Sequence, residues 1–228
     1  MRLHLLLVAV LFLVGCAGQI TPAPTSYALP NQNSALTQQV EALAAKQPAG
    51  TSGFRLLSDS ADAFSARIQM IRQARASLDV QYYIVHDGLS TRALIEEVVR
   101  AADRGVRVRL LLDDTTSDGS DYQIATLAAH PHILIRVFNP LHIGRSTVIT
   151  RSLGRLLNLS QQHRRMHNKL MLADSSLAIV GGRNLGDEYF DADQSFNFTD
   201  IDLLAAGPVA EQLAVSFAQY WNHTLSVP

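Results

Sequence analysis

The spacing of hydrophobic residues beyond residue 54 is the feature that most constrains the fold. Helical spacing of about 3.6 residues repeatedly gives way to the period of two that is typical of strands. Phe64, Ile68 and Ile71 follow the helical period, and alternation follows over residues 78–84. Helices and strands in alternation predict an α/β domain with a mixed, largely parallel sheet flanked by helices.

The turn chemistry between these segments predicts where the elements begin and end. Ser90 is the expected N-cap of a second helix, Gly105 its expected end, and Pro208 fits the first turn of the last helix. A further helix is expected over residues 123–129. Further strands are expected over residues 106–112, 133–138, 166–173, 177–182 and 201–206.

Composition excludes several classes of protein. Of the 228 residues 47% are hydrophobic and 17% charged, so the chain has too much apolar surface and too little charge to be generally disordered. A formal net charge of -1 excludes a polycation that binds nucleic acid through bulk charge. The single cysteine excludes an intramolecular disulfide.

That cysteine, Cys16, follows a short targeting sequence. Arg2 precedes an apolar run over residues 5–14, which is too short for a permanent transmembrane helix. Residues 13–16, Leu-Val-Gly-Cys, resemble the lipobox of bacterial lipoproteins, which implies cleavage before Cys16 and its acylation. An ordinary signal peptide with a chance cysteine is the alternative.

The lipobox divides the chain into three parts and implies a cellular location. We expect a signal peptide over residues 1–15, a flexible tether rich in Pro, Ala, Gln, Ser and Thr over 16–53, and a domain over 54–228. The expected location is the bacterial cell envelope, lipid-anchored and facing the periplasm. Ala17 after the cysteine favours the outer membrane in a Gram-negative source, by resemblance to the sorting rule.

A basic segment interrupts the alternation of helices and strands. Residues 139–165 contain five arginines and no acidic residue, interspersed with Leu153, Leu156, Leu157 and Leu159. Such a segment suits a surface that contacts anionic lipid headgroups, or an ordinary amphipathic helix that packs on the core.

Residues 166–184 contain the side chains that indicate chemistry. On a strand His167 and Lys169 project to the same face. A neutral imidazole can attack phosphorus, and an ammonium can neutralise the phosphoryl oxygens. Asn184, beyond the Gly181-Gly182 pair, can donate its amide to the same oxygens, and Asp174 can orient an imidazole or form the hairpin turn.

The spacing of these residues resembles the HKD motif of the phospholipase D superfamily. It reads His167-x-Lys169, four residues, Asp174, six residues, Gly181-Gly182-x-Asn184. Gly182 departs from the many members that have serine, so their hydroxyl contact to phosphate is missing. Over residues 54–225 the chain also resembles the N-terminal half of the bacterial cardiolipin synthase C group.

The resemblance implies a role for each residue and a metal-free reaction without cofactors. His167 is the nucleophile or its acid partner, Lys169 and Asn184 bind phosphate, and Asp174 is a supporting carboxylate. The implied substrate is an anionic phospholipid similar to phosphatidylglycerol. The implied activity is that of a membrane-attached phosphodiesterase or phosphatidyltransferase that forms a phosphohistidine.

No other histidine in the sequence is followed two residues later by lysine, so the chain supplies one motif where cardiolipin synthase-like members have two. A homodimer with two-fold symmetry would bring two copies of His167 together. A truncated gene product, inactive as a monomer, is the alternative. Two further functions stay open: a homodimeric nuclease, disfavoured because no long basic and aromatic stripe is present, and a non-catalytic lipid-binding lipoprotein.

Overall fold

The computed structural model describes residues 24–27, 33–114, 121–140 and 165–228. An eight-stranded mixed sheet with strand order β1-β7-β6-β5-β2-β3-β4-β8 runs through the domain. The helices are α1 (Ala35–Ala44), α2 (Ser60–Gln73), α3 (Leu89–Asp103), α4 (Asp121–Ala128) and α5 (Pro208–Trp221). The strands are β1 (Gly53–Leu57), β2 (Ser77–Tyr82), β3 (Arg107–Asp113), β4 (Ile133–Phe138), β5 (Leu170–Ala173), β6 (Leu177–Gly181), β7 (Asp202–Ala206) and β8 (Ser226–Val227).

The predicted mixed α/β class is confirmed, but the expectation of a largely parallel sheet is wrong. Among the strands that the structure describes, only β2, β3 and β4 pair in parallel, each connected to the next through a helix. The remaining pairings are antiparallel. The pairing of β5 with β6 shows the physical reason. A turn of a few residues joins these strands, and so short a connection allows only antiparallel pairing.

Side chains of β5 alternate between two hydrophobic layers. Met171 and Ala173 belong to the core beneath α2 and α3, together with Met70 and Leu94. Leu170 and Leu172 belong to the core beneath α5. Since both faces are covered, β5 reads as a continuous apolar run in the sequence.

Helix α3 begins differently from its prediction. It starts at Leu89, and the distant carboxylate of Asp187 replaces Ser90 as the cap by accepting hydrogen bonds from the Leu89 and Ser90 amides at 3.0 and 2.8 Å. Its predicted end is confirmed, since Gly105 adopts a φ of 90° just beyond the helix.

The described part of the predicted tether packs against the domain. Leu36 of α1 is buried in the core, and the Thr37 hydroxyl lies 2.8 Å from the Ser176 hydroxyl in the β5–β6 turn. The backbone amide of Ser26 donates to Asn222 Oδ1 at 2.9 Å. Residues 24–27 and 33–46 therefore do not extend from the domain as a free linker.

Candidate active site

The motif residues lie at one edge of the sheet because of the strand directions. Strand β5 runs antiparallel to both β2 and β6. The start of β5 therefore lies beside the ends of β2 and β6. His167 and Lys169 directly precede β5. They therefore lie near Tyr83, which follows β2, and near Asn184, which follows β6.

His167 and Lys169 share one side of the chain, as predicted. The two side chains contact the same aromatic ring: the His167 ring centroid lies 4.2 Å from that of Tyr83, and Lys169 Nζ lies 5.3 Å from it. Lys169 Nζ also donates to the His167 carbonyl at 2.7 Å. Residues 166–169 are not strand, since β5 begins at Leu170, and the shared orientation rests on Tyr83 instead.

The imidazole of His167 is exposed, whereas Lys169 is half-buried. Nδ1 of His167 lies 3.3 Å from the Arg165 carbonyl, which accepts a hydrogen bond when Nδ1 carries the proton. In that tautomer Nε2 keeps its lone pair and is the nucleophilic nitrogen. Burial lowers the pKa of Lys169, and the carboxylate of Asp200 acts in the opposite direction.

Asn184 presents a hydrogen-bond donor at this edge. Its side chain is buried, and Oδ1 accepts from the Ile84 amide at 3.0 Å. This contact orients the amide, so the NH₂ group is the part left to donate. Burial raises the pKa of Tyr189, and a hydrogen bond from Asn184 opposes that rise.

A buried ionic cluster fixes the backbone next to Asn184. The Arg183 guanidinium donates to the carbonyls of Leu57 and Ser58 at 3.0 and 2.8 Å. It shares Asp202 with Arg67, whose Nη2 lies 2.9 Å from the carboxylate. All three charged groups are almost fully buried, so removing one partner would leave a costly uncompensated charge.

Asp174 does not join the other motif residues, and its expected support of the imidazole is not what the structure shows. It follows β5, about 20 Å of extended chain away from His167. Its carboxylate accepts hydrogen bonds from the amides of Arg75, Ala76 and Ser77, at 2.8 Å for the closest. Asp174 therefore forms the hairpin turn and anchors the start of β2, which was the structural alternative.

The two glycines allow a close approach of the chain before β7. A Cβ on Gly181 would lie 2.5 Å from the Ile201 carbonyl oxygen and 2.6 Å from Asp202 Cα. A Cβ on Gly182 would overlap the Asp200 carboxylate instead. Close packing thus explains both glycines, and at Gly182 a carboxylate occupies the space that a serine side chain would need.

Sequence reasoning missed several residues of this edge. Tyr83, Tyr189 and Asp200 come from three separate segments, and the sequence offers no spacing that groups them. Nδ1 of His86 also lies 2.5 Å from Glu188 Oε1, which ties the segment after β2 to the turn at Asp187–Tyr189. For Tyr83, alternation along the strand was the available signal: Tyr82 is buried, so the next residue projects to the opposite side.

Two predicted features lie outside the described residues. Cys16 is one, and four of the five arginines in the basic segment are the other. The fifth, Arg165, lies 3.3 Å from Asp113 Oδ1. Over the described ranges no helix is long and apolar enough to cross a membrane, and no group of three or more metal-ligating side chains is present.

The fold and the His-x-Lys edge define the class as a phospholipase D-like half-domain. Residues 67–221 match the family described as "Cardiolipin synthase, PLD-like domain", and the chain belongs to this family. It is 45% identical to cardiolipin synthase C of Escherichia coli over 186 residues, which are 82% of this chain and 38% of that protein. An uncharacterized protein of Helicobacter pylori is 37% identical over 100% of this chain and 45% of its own length.

Solved structures show the same fold at low sequence identity. NucT from Helicobacter pylori superposes with a TM-score of 0.55 at 17% identity and covers 78% of this chain and 98% of NucT. Phosphatidylserine synthase of Haemophilus influenzae gives 0.56 at 16% identity, over 84% of this chain and 42% of the synthase. The chain thus spans less than half the length of the curated relatives named above.

Proposed function

We propose that the protein is a membrane-attached phosphodiesterase or phosphatidyltransferase of the phospholipase D type that acts on an anionic phospholipid. One observation carries this proposal: an exposed imidazole, His167, lies beside the Lys169 ammonium at the sheet edge where Asn184 offers its amide. A phosphoryl centre needs a nucleophile together with donors for its non-bridging oxygens. The family and its cardiolipin synthase relatives support phospholipid as the substrate.

The reaction begins with attack of the His167 imidazole on phosphorus. The new N–P bond displaces the headgroup alcohol, whose oxygen takes a proton from a second histidine. That histidine then removes a proton from water or from an acceptor alcohol, which attacks phosphorus and releases His167. Lys169 and Asn184 stabilise the charge on the phosphoryl oxygens in both steps. Hydrolysis and transfer differ only in the entering hydroxyl.

The second histidine requires a second half-site. We propose that a homodimer places the His167 of each copy at a shared site, as an isologous interface allows. A further region of a longer polypeptide would serve equally, in line with relatives more than twice as long. Light scattering distinguishes these two arrangements, because it measures the molar mass. A dimer of this chain that turns over substrate supports the homodimer.

Hydrolysis of phosphatidylglycerol vesicles by the full chain tests the proposal. His167→Asn removes the nucleophile and should lower the rate by at least about 10³-fold. His132→Asn is the matched control, because His132 is exposed on a different part of the surface. Wild-type protein that forms the two-fold species and yet turns over no phospholipid would overturn the proposal.

A nuclease is a second candidate, favoured by one observation. The fold match with NucT covers 98% of NucT and 78% of this chain. A labelled single-stranded oligonucleotide incubated with the same two variants decides between the substrates. Cleavage that depends on His167 and exceeds phospholipid turnover would assign the site to nucleic acid.

We also propose that acylated Cys16 holds the protein on the outer membrane, facing the periplasm. The lipobox-like residues 13–16 support this, and Ala17 favours the outer membrane. Cys16→Ser should move the protein from the membrane fraction to the soluble fraction. Full retention of this variant on the membrane would contradict acylation as the anchor.

A further inference from the structure

An apolar cavity of about 370 Å³ lies between the sheet and the helices α3 and α4. Strands β2 and β3 contribute Val80 and Leu110 to its lining, and the helices contribute Ile95 and Leu127. These four side chains are buried or half-buried, whereas the charged side chains that α3 adds to the lining are exposed. The cavity thus has an apolar interior and a charged mouth, and its volume is typical of a small-molecule site.

The cavity adjoins the sheet edge that carries the candidate active site. Val85 and Leu185 both line it, and these two residues form a parallel β-bridge. The residues just before them, Ile84 and Asn184, are joined by the hydrogen bond that orients the Asn184 amide. The cavity therefore begins one residue beyond the amide that is proposed to bind phosphate. This is also the carboxyl end of the parallel strands, where ligands of α/β sheets bind.

Thr91 gives the cavity a polar group that lacks a partner. It lines the cavity from the first turn of α3 and is 5% exposed. Its hydroxyl makes no hydrogen bond within the described part of the chain. A buried hydroxyl without a partner is unfavourable, and most such groups in proteins are paired. A ligand that brings a hydrogen-bond acceptor beside Thr91 would supply the missing partner.

An acyl ester fits these three features together. Its hydrocarbon chain suits the apolar lining, and its carbonyl oxygen can accept a hydrogen bond from the Thr91 hydroxyl. In a glycerophospholipid only a few bonds separate this ester from the phosphate, which matches a cavity that adjoins Asn184. A free fatty acid carries the same chain but has no phosphate to contact Lys169 and Asn184.

We propose that the cavity is an acyl-chain subsite, in which one chain of the phospholipid lies while Thr91 donates to the ester carbonyl of that chain. This inference rests on the proposed function, in which the phosphate of the same lipid contacts His167, Lys169 and Asn184. It adds a selection for the lipid part of the substrate. A phosphodiester without an acyl chain leaves the cavity empty and the Thr91 hydroxyl unpaired.

Binding of short-chain phosphatidylglycerols to the full chain with His167→Asn tests the subsite without turnover. The dihexanoyl lipid has two more methylenes in each chain than the dibutanoyl lipid, and each buried methylene strengthens binding about fourfold. With one chain in the cavity, calorimetry should give a dissociation constant about tenfold lower for the dihexanoyl lipid. Ile95→Phe fills the cavity and should bring this ratio close to one.

Val99→Phe is the matched control for Ile95→Phe. Val99 is half-buried on the same helix and packs against the core, but it does not line the cavity. This control should keep the chain-length ratio of the His167→Asn parent. Leu127→Phe fills the cavity from α4 and takes the place of Ile95→Phe if that variant does not fold.

Thr91→Val tests the ester contact in the same assay. Valine has a shape similar to that of threonine but lacks the hydroxyl, so the affinity for the ester lipid should fall about three- to tenfold. The ether analogue has no carbonyl groups and should bind equally well with and without the substitution. Because the hydroxyl has no partner in the described structure, the melting temperature should not fall.

Each result decides the inference. A chain-length ratio that Ile95→Phe leaves unchanged, or that Val99→Phe lowers equally, would overturn it. Equal effects of Thr91→Val on ester and ether lipids would do the same, as would failure of the parent to bind either lipid. Hexanoate that binds as tightly as the dihexanoyl lipid would overturn it in favour of a fatty-acid site. Absence of headgroup release by the wild-type protein would overturn the proposed function alone, since the binding ratios still decide the subsite.

Discussion

At one end of the β5–β6 hairpin the motif residues lie at the surface, with His167 exposed and Lys169 half-buried, whereas at the other end the motif aspartate, Asp174, is buried and accepts hydrogen bonds from backbone amides. The first end presents an imidazole and an ammonium with few protein partners, so both can contact a ligand. At the second end, the Asp174 carboxylate accepts hydrogen bonds from the backbone amides around the start of β2. A single sequence motif thus combines the proposed reactive end, at His167 and Lys169, with a structural anchor at Asp174, separated by the length of one strand.

Substitution of Lys169 should lower activity strongly with little effect on folding. Lys169→Met keeps an apolar side chain of similar length but removes the charge, which lies 5.3 Å from the Tyr83 ring centroid and in the proposed reaction stabilises the phosphoryl oxygens. We expect kcat/KM for phosphatidylglycerol to fall by about 10²–10³-fold, with a melting temperature close to wild type. A comparable loss of stability would contradict the assignment of this end as reactive.

Substitution of Asp174 should show the reverse pattern. Asp174→Ala leaves the amides of Arg75, Ala76 and Ser77 without their acceptor and places alanine at a φ of 50°. We expect a loss of about 2–4 kcal/mol in the free energy of unfolding, measured in urea. Asp174→Asn keeps one acceptor oxygen and tolerates the backbone, so it should recover part of the loss. A stable Asp174→Ala variant with a specific loss of activity would return this residue to the catalytic group.

The two ends also differ in how far the sequence could predict them. Local patterns predicted the strand over residues 133–138 and the end of α3 at Gly105, because each depends on neighbours in the chain. The common orientation of His167 and Lys169 was predicted from strand alternation, whereas in the structure it rests on contacts with Tyr83. The relative direction of the strands in the sheet was not predictable in this way. It depends on β5 inserting beside β2, whose residues lie about ninety positions earlier.

Long-range partners explain the other errors. Ser90 looks like an N-cap locally, yet Asp187 performs that role from the far side of the sequence. Tyr83 and Asp200 reach the candidate site only because β2, β5, β6 and β7 are neighbours in the sheet. Asp174 shows that motif spacing alone does not predict spatial proximity. The extended strand β5 lies between His167 and Asp174 and keeps the two side chains apart.

The adjacent glycines at the reactive end allow a smaller and sharper test. Gly181→Ala would force the backbone at Ile201 and Asp202 to move, and Asp202 is held by Arg67 and Arg183. We expect it to destabilise the fold by about 1–3 kcal/mol. At Gly182 the atoms nearest to an added Cβ belong to the Asp200 side chain, which can rotate, so the effect of Gly182→Ala should stay below about 1 kcal/mol. Equal losses in urea denaturation would contradict the close backbone approach at Gly181.

The smallest expected effect is a shift in the pH dependence of activity. Burial lowers the pKa of Lys169, so its ammonium loses its proton at a lower pH than an exposed lysine, and activity that needs the charge falls on the alkaline side. Asp200 opposes this shift, because a nearby negative charge favours the protonated amine. Asp200→Asn should therefore move the alkaline limb of the kcat/KM profile to lower pH, while Asp191→Asn leaves it in place. A limb that moves to higher pH in Asp200→Asn would show that the carboxylate acts on a group other than Lys169, and the reactive end would then need a different source for its alkaline titration.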